Sequence, residues 1–309
     1  MTAWTPKEKP LDSALRERLH LRGKATGSLW FVRSVIQSID SVSRTVSGQP
    51  FFALRESEDL LRQIAGLKGP ELVHALLDQN GGTRIEPHGV DNIPTSGPVI
   101  IVATHPTGLF DFFAHADTLL GLRPDLKVVA NQETEKFLGA DLIVPVQIDK
   151  ENRAMSGTMT RRGMEQHLRD DGALLIFGSG RVPHQVQGRL VEPDWRGGAT
   201  RVSKSCAVPI VPAALATRNS KTYYRIRSFA QTISGGNDSF GAMIGSLRYA
   251  AELMDKLGGA FDVHYGSPMP AGTAPAVIQK AAETLVPGLY QDHGATPGPG
   301  KDQSSNNSG

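Results

Sequence analysis

Upstream of Thr83 the apolar positions recur at helical spacing, and beyond it they gather into short β-branched runs divided by turn residues. Three helical stretches are predicted first: LDSALRERLHLRGK (11–24), basic and amphipathic; SLWFVRSVIQSIDSVSRTV (28–46); and SEDLLRQIAGLKGPELVHALLDQN (57–80), which opens on a serine with an acidic first turn. Strands are predicted at TRIEPHGV, PVIIVAT, LKVVAN, DLIVPVQI, GALLIFGS, VPIVPAAL, YYRIRSF and FDVHYGS, with helices such as RAMSGTMTRRGMEQHLRD and FGAMIGSLRYAAELMDKL between several of them. This alternation predicts an α/β fold: a mixed, mostly parallel sheet flanked by helices, with an N-terminal helical segment. The expected organisation is a helical region over 1–82, an α/β domain over 83–290 and a disordered tail over 291–309, where HGATPGPGKDQSSNNSG has almost nothing to bury.

Composition narrows the function classes. With 33 Lys and Arg against 31 Asp and Glu, the net charge of +2 makes no large single-sign field, so no nucleic-acid partner is expected. The single cysteine, Cys206, cannot form an intramolecular disulfide or a cysteine-rich metal site, and is expected to be a buried structural thiol; no metal is expected. The opening MTAWTPKEKPLDSALRERLHLRG lacks the apolar stretch of a secretory leader, and no segment approaches the ~18 apolar residues of a membrane span. The expected location is cytoplasmic, with any work on lipid done from the surface.

Candidate chemistry begins in PVIIVATHPTGLFDFFAH (98–115), where an apolar strand runs directly into His105, Pro106, Thr107, Gly108 and Asp111. A histidine held by a carboxylate is a general base near neutral pH, because the carboxylate fixes the tautomer and stabilises the imidazolium. On a straight helix six steps would put the two side chains about 120° apart, so they meet only if the chain between them is irregular, as Pro106 and Gly108 allow. Asp111 and His115, at i and i+4, form a rival pair. His105 is preferred because it stands at the carboxyl end of a strand, where open α/β sheets hold ligands.

Two further segments suit an anion. In LLIFGSGRVPHQVQGR a strand ends and Gly178, Ser179, Gly180 and Arg181 follow: either a plain tight turn, the commoner use of glycines after a strand, or small residues that let backbone N–H groups approach an anion, then a guanidinium. Rossmann, P-loop and nucleophile-elbow patterns are absent there. In LIVPVQIDKENRAMSGTMTRRG, Lys150, Arg153, Arg161 and Arg162 follow another strand, as a solvated basic face or a phosphate cradle.

Taken in order over Arg84 to Thr217, these blocks resemble the glycerophosphate and lysophosphatidate acyltransferases, the PlsC-like superfamily. The matching residues are His105 to Asp111, Ile148-Asp149-Lys150, Phe177 to Arg181, and Val208-Pro209-Ile210-Val211-Pro212. The first block is one residue longer than the common His-x4-Asp and looks like the His-Pro-x-Gly-x-x-Asp form of the ornithine-lipid and hemolysin-related branch. In the third block Gly178 and Ser179 stand where the pattern has proline and glutamate, and in the second Lys150 replaces arginine.

The resemblance implies a 1-acylglycerol-3-phosphate O-acyltransferase-like enzyme of phospholipid synthesis, peripheral to the inner face of the membrane. His105, oriented by Asp111, would take a proton from the hydroxyl of a lysophospholipid, glycerol phosphate or related lyso-lipid acceptor, which attacks an acyl thioester. The donor would be acyl-CoA or acyl carrier protein, with no bound cofactor. Lys150, Arg153, Gly178, Ser179, Gly180 and Arg181 would bind the acceptor's anionic head group, and Pro106, Thr107 and Gly108 would shape the loop. The basic N-terminal helix and the SLWFVRSVIQSI segment fit either a bilayer surface or a face packed on the α/β core, and the two readings are compatible. Two other readings are a non-catalytic lipid- or anion-binding protein of this fold and a soluble thioester or ester hydrolase.

Overall fold

The computed structural model describes residues 9, 11–12, 15–16, 26–146 and 153–291. The basic stretch 17–24, Lys150 and residues 292–309 of the tail expected over 291–309 lie outside the described residues, as do the side chains of residues 153–156, Arg153 among them.

Three helices come first: α1 (Thr26–Ser47), α2 (Leu54–Gln63) and α3 (Gly69–Leu77). Strands β1 (Arg84–His88) and β2 (Val99–Ala103) lead to α4 (Leu109–Leu122), β3 (Lys127–Asn131), the short α5 (Glu135–Leu138) and β4 (Ile143–Val146). Helix α6 (Arg153–Arg169) precedes β5 (Ala173–Phe177), a hairpin of β6 (His184–Val186) and β7 (Arg189–Val191), α7 (Gly198–Cys206) and β8 (Ile210–Leu215). The chain continues through α8 (Lys221–Ile233), α9 (Asp238–Ser246), α10 (Tyr249–Met254), β9 (Ala260–Tyr265) and α11 (Pro275–Thr284).

Seven strands make one mixed sheet in the order β1-β9-β8-β2-β5-β3-β4. All neighbours are parallel except β8 and β9. Strand β2 lies inside the sheet, and all five of its residues are buried, which explains its unbroken apolar sequence. Its pleat divides the core. Val99, Ile101 and Ala103 face α3 and α4, meeting Leu72, Val73, Phe110 and Ala114, while Ile100 and Val102 face Met164, Leu168, Val202 and Ile278 of α6, α7 and α11. Burying a side chain of this size stabilises the fold by about 1.5–3 kcal/mol.

Three sequence expectations are corrected here. YYRIRSF is not a strand but the start of α8: the Ser220 hydroxyl caps the helix by accepting the Tyr223 N–H at 3.1 Å, and Tyr223, Tyr224, Arg227 and Ala230 are buried at helical spacing. The stretch FGAMIGSLRYAAELMDKL is broken into α9 and α10 around Leu247 and Arg248. Cys206 is half-buried rather than buried, packed at the edge of the second core cluster.

Helix α1 is tied to the body by charge as well as packing. Arg33, 7% exposed, bridges Asp12 and Glu58 at 2.7 Å each, and both Asp40 oxygens accept backbone N–H groups, of Phe52 at 2.5 Å and Leu54 at 3.1 Å. No helix among the described residues is long and apolar enough to cross a membrane.

Candidate active site

Because β2 and β5 are parallel neighbours, with Ala103 opposite Phe177, their carboxyl ends open at the same edge of the sheet. The segment after β2 supplies His105, and the segment after β5 supplies the turn Gly178–Arg181.

The β2 loop turns sharply at Gly108, whose φ of 93° L-residues rarely adopt. A Cβ there would also come within 3.3 Å of Tyr249 and Val182, so a side chain would be strained by the backbone and crowded by its neighbours. The turn starts α4 and brings Asp111, at its third position, back under the loop. The carboxylate is fully buried and accepts the backbone N–H groups of Thr107 and Gly108, at 3.0 Å each to Oδ2, and the Thr107 hydroxyl. These are otherwise orphan donors at a helix start, where negative charge is favoured.

Asp111 Oδ2 also stands 2.8 Å from Nδ1 of His105, although the ring N–H is not aimed straight at it. Catalytic hydrogen bonds often tighten only when substrate binds. The imidazole stacks on Phe177, centroids 4.4 Å apart, and its side chain keeps 18% of its surface exposed, so a supported histidine faces the opening while its carboxylate does not. With Nδ1 toward Asp111, Nε2 is the nitrogen left for a substrate.

The rival pair is not formed. His115 is buried beside Tyr265, Nδ1 3.3 Å from its hydroxyl, and burial lowers its pKa to about 4 despite the nearby Asp111 charge. It is a neutral core histidine.

In the second turn, Gly178 has a packing reason: a Cβ would meet the Trp195 ring at 2.0 Å. Its N–H donates to Ala103 O at 3.0 Å, that of Gly180 to Phe177 O at 3.0 Å, and that of Arg181 to Ser179 Oγ at 3.1 Å. These three N–H groups are engaged within the fold, and the exposed Arg181 side chain is open to an anion. Ser179 is buried and contacts Glu192 at 2.8 Å. A carboxyl group therefore does lie against Ser179, brought from the segment after β7 rather than from the turn itself. Pro106 and Thr107 are buried in the loop, Thr107 held also by Asn219, whose amide donates to its carbonyl at 3.3 Å.

Sequence reasoning missed Glu192 and Asn219. Neither sits in an apolar run or a charge pattern; each reaches the site only through the fold.

Comparison with known proteins gives the chain's relatives. A family model described as acyltransferase matches residues 39–282, well over half of the chain. The lyso-glycine lipid O-acyltransferase of Bacteroides thetaiotaomicron is 24% identical over 220 residues, 70% of this chain and 74% of that protein. The crystal structure of the 1-acyl-sn-glycerophosphate (LPA) acyltransferase PlsC from Thermotoga maritima aligns with a TM-score of 0.43 and 16% identity, over 76% of this chain and 80% of that one. The chain belongs to the acyltransferase family, and its sequence blocks resemble those of the PlsC-like superfamily.

Proposed function

We propose that this acyltransferase moves a fatty acyl group from a thioester, acyl-CoA or acyl carrier protein, to the hydroxyl of a lyso-lipid with an anionic head group, working at a membrane surface. The observation that carries the reading is the His105–Asp111 pair at the carboxyl end of β2, beside the turn that bears Arg181. Nε2 of His105 removes the acceptor's proton as the hydroxyl oxygen attacks the thioester carbonyl. The carbon–sulfur bond then breaks, and the histidine returns the proton to the leaving thiolate. Asp111 stabilises the imidazolium in between, and its buried, fully hydrogen-bonded carboxylate keeps the ring in one tautomer. Arg181 supplies a forked donor for the head group, with Lys150 and Arg153 as further cations.

A lipid surface is supported by α1. Phe31, Val35, Ile39, Val42 and Val46 are all exposed and fall within an arc of roughly 80°, on a different side from the buried Leu29, Arg33, Ile36 and Asp40. A stripe of this kind, on a helix already anchored by its other side, fits the acyl boundary of a bilayer. The named activity of the Bacteroides relative makes an amino-acid-containing lyso-lipid the first acceptor to try, beside lysophosphatidate. The test is to offer acyl-CoA and acyl carrier protein thioesters with a panel of lyso-lipids in vesicles and identify products by mass spectrometry. Acylated lipid supports the reading; thioester cleavage that ignores every acceptor would replace it with hydrolysis, and lipid binding without turnover would leave only a binding protein.

A further inference from the structure

The turn that carries Arg181 is held by an acid with an unusual hydrogen-bonding problem. Ser179 Oγ has three partners: the Arg181 N–H at 3.1 Å, the Arg181 carbonyl at 2.9 Å and Glu192 Oε1 at 2.8 Å. A hydroxyl has one proton to give and two lone pairs to receive with. The Arg181 N–H can only donate. Were Glu192 ionised, the single Ser179 proton would have to serve both the Arg181 carbonyl and the carboxylate. With Glu192 as the neutral acid every contact is satisfied: Glu192 O–H donates to Oγ, and Oγ donates to the carbonyl.

The surroundings favour that state. Glu192 is 5% exposed, and Oε2 is buried with no well-aligned partner among the described residues, a poor setting for charge. Burial pushes its pKa up to about 8; the Ser179 hydroxyl and Trp195 oppose this, while Glu283 of α11 and Asp111 of α4 face it with like charge and add to it. Tyr290, bridged in parallel to Leu190, offers a phenol that burial holds well above the usual range. The segment around Glu192 also clasps the turn directly, since the Arg196 N–H donates to Gly178 O at 3.0 Å and the Trp195 ring covers Gly178.

We propose that Glu192 is a positioning residue for acceptor binding: as a neutral acid it donates to Ser179 and so fixes the Gly178–Arg181 turn, and with it Arg181, beside His105. This rests on the acceptor-binding role proposed for Arg181. When Glu192 loses its proton, Ser179 must turn its own proton toward the carboxylate, the Arg181 carbonyl loses its donor, and the turn loosens. Acceptor affinity therefore falls as pH rises, while the His105 chemistry at saturating acceptor does not depend on the same event.

The test compares unmutated protein with Glu192→Gln, whose amide donates as the acid does but does not ionise, and with Glu192→Ala. Acceptor KM and kcat are measured from pH 6.5 to 9.5. In the unmutated protein the acceptor KM should rise about tenfold across this range, the equivalent of one lost hydrogen bond. Glu192→Gln should keep the low KM throughout and Glu192→Ala the high one, with donor KM unchanged in both. A readout independent of turnover is the fluorescence of Trp195 in a Trp4→Phe/Trp30→Phe background: a transition near pH 8 is expected, absent from Glu192→Gln. No transition, one that survives in Glu192→Gln, a pH-independent acceptor KM, or a Gln variant that behaves like Ala overturns the proposal. A transition lost in Glu192→Gln, in a protein that acylates no acceptor, upholds the neutral acid and its contact with the turn and refutes the acceptor-binding role instead.

Discussion

His105 Nδ1 and Asp111 Oδ2 lie 2.8 Å apart although six positions separate the residues, because the loop folds back at Gly108 before α4 begins. Asp111 is thus at once the helix-start acceptor for the loop's N–H groups and the support of the histidine. Replacing it by Asn keeps the shape but presents an amide NH2 to some of these donors. Asp111→Asn should lose about 1–3 kcal/mol in urea denaturation and turnover by about 100-fold or more. Full activity in a folded Asp111→Asn protein would separate the carboxylate from the chemistry.

The two glycines of the site should respond differently. Gly108→Ala meets both a φ of 93° and neighbours at 3.3 Å, whereas Gly180, at φ 63°, has open space where a Cβ would go. We expect about 1–3 kcal/mol lost at Gly108, with activity falling alongside, and about 1 kcal/mol at Gly180. Equilibrium unfolding of the two variants tests the ranking.

His115 predicts the protein's acid behaviour. Its pKa is lowered to about 4 in the folded state, first by burial, so between pH 6.5 and about 4 the unfolded chain binds a proton that the native state refuses. Stability contributed by the neutral histidine is full above pH 6.5 and is lost as pH falls toward 4, by about 3 kcal/mol in all. His115→Phe should flatten that part of the stability profile; an unchanged slope would assign acid sensitivity to other groups.

Helix α1 has one side for the protein and another for solvent. Phe31, Val42 and Val46 are 64%, 64% and 82% exposed, and Leu29 and Ile36 are buried. Phe31→Ser/Val42→Ser/Val46→Ser should keep the melting temperature and weaken co-sedimentation with anionic vesicles about tenfold, by loss of apolar area from the interface. Ile36→Ser should instead destabilise the fold. Unchanged vesicle binding by the triple variant would remove α1 from the membrane account.

Much of this was legible in the chain. The all-apolar run of β2, bracketed by Pro98 and His105, announces an interior strand, and the histidine, proline, glycine and aspartate after it announce a site, because each is there for a reason a plain turn does not have. Tyr223 to Phe229 misled because aromatic and β-branched residues suggest a strand, while the deciding features were the Ser220 cap and burial at every third or fourth position. Glu192 was illegible for another reason. Nothing in VEPDW marks a buried acid; its partner Ser179 is thirteen positions away, and only the β6–β7 hairpin brings the two together. The second block, at Ile148 to Lys150, was read in the sequence but lies outside the described residues.

The central claim is that His105 is the base of an acyl transfer to a lipid hydroxyl. The direct measurement is product formation from a radiolabelled acyl thioester and a lyso-lipid acceptor in vesicles, with unmutated protein and with His105→Ala shown to be folded by its melting temperature. The account predicts acylated lipid from the first and a rate lower by about 10²–10⁴ from the second, the usual worth of a positioned general base. An undiminished rate in folded His105→Ala would contradict it.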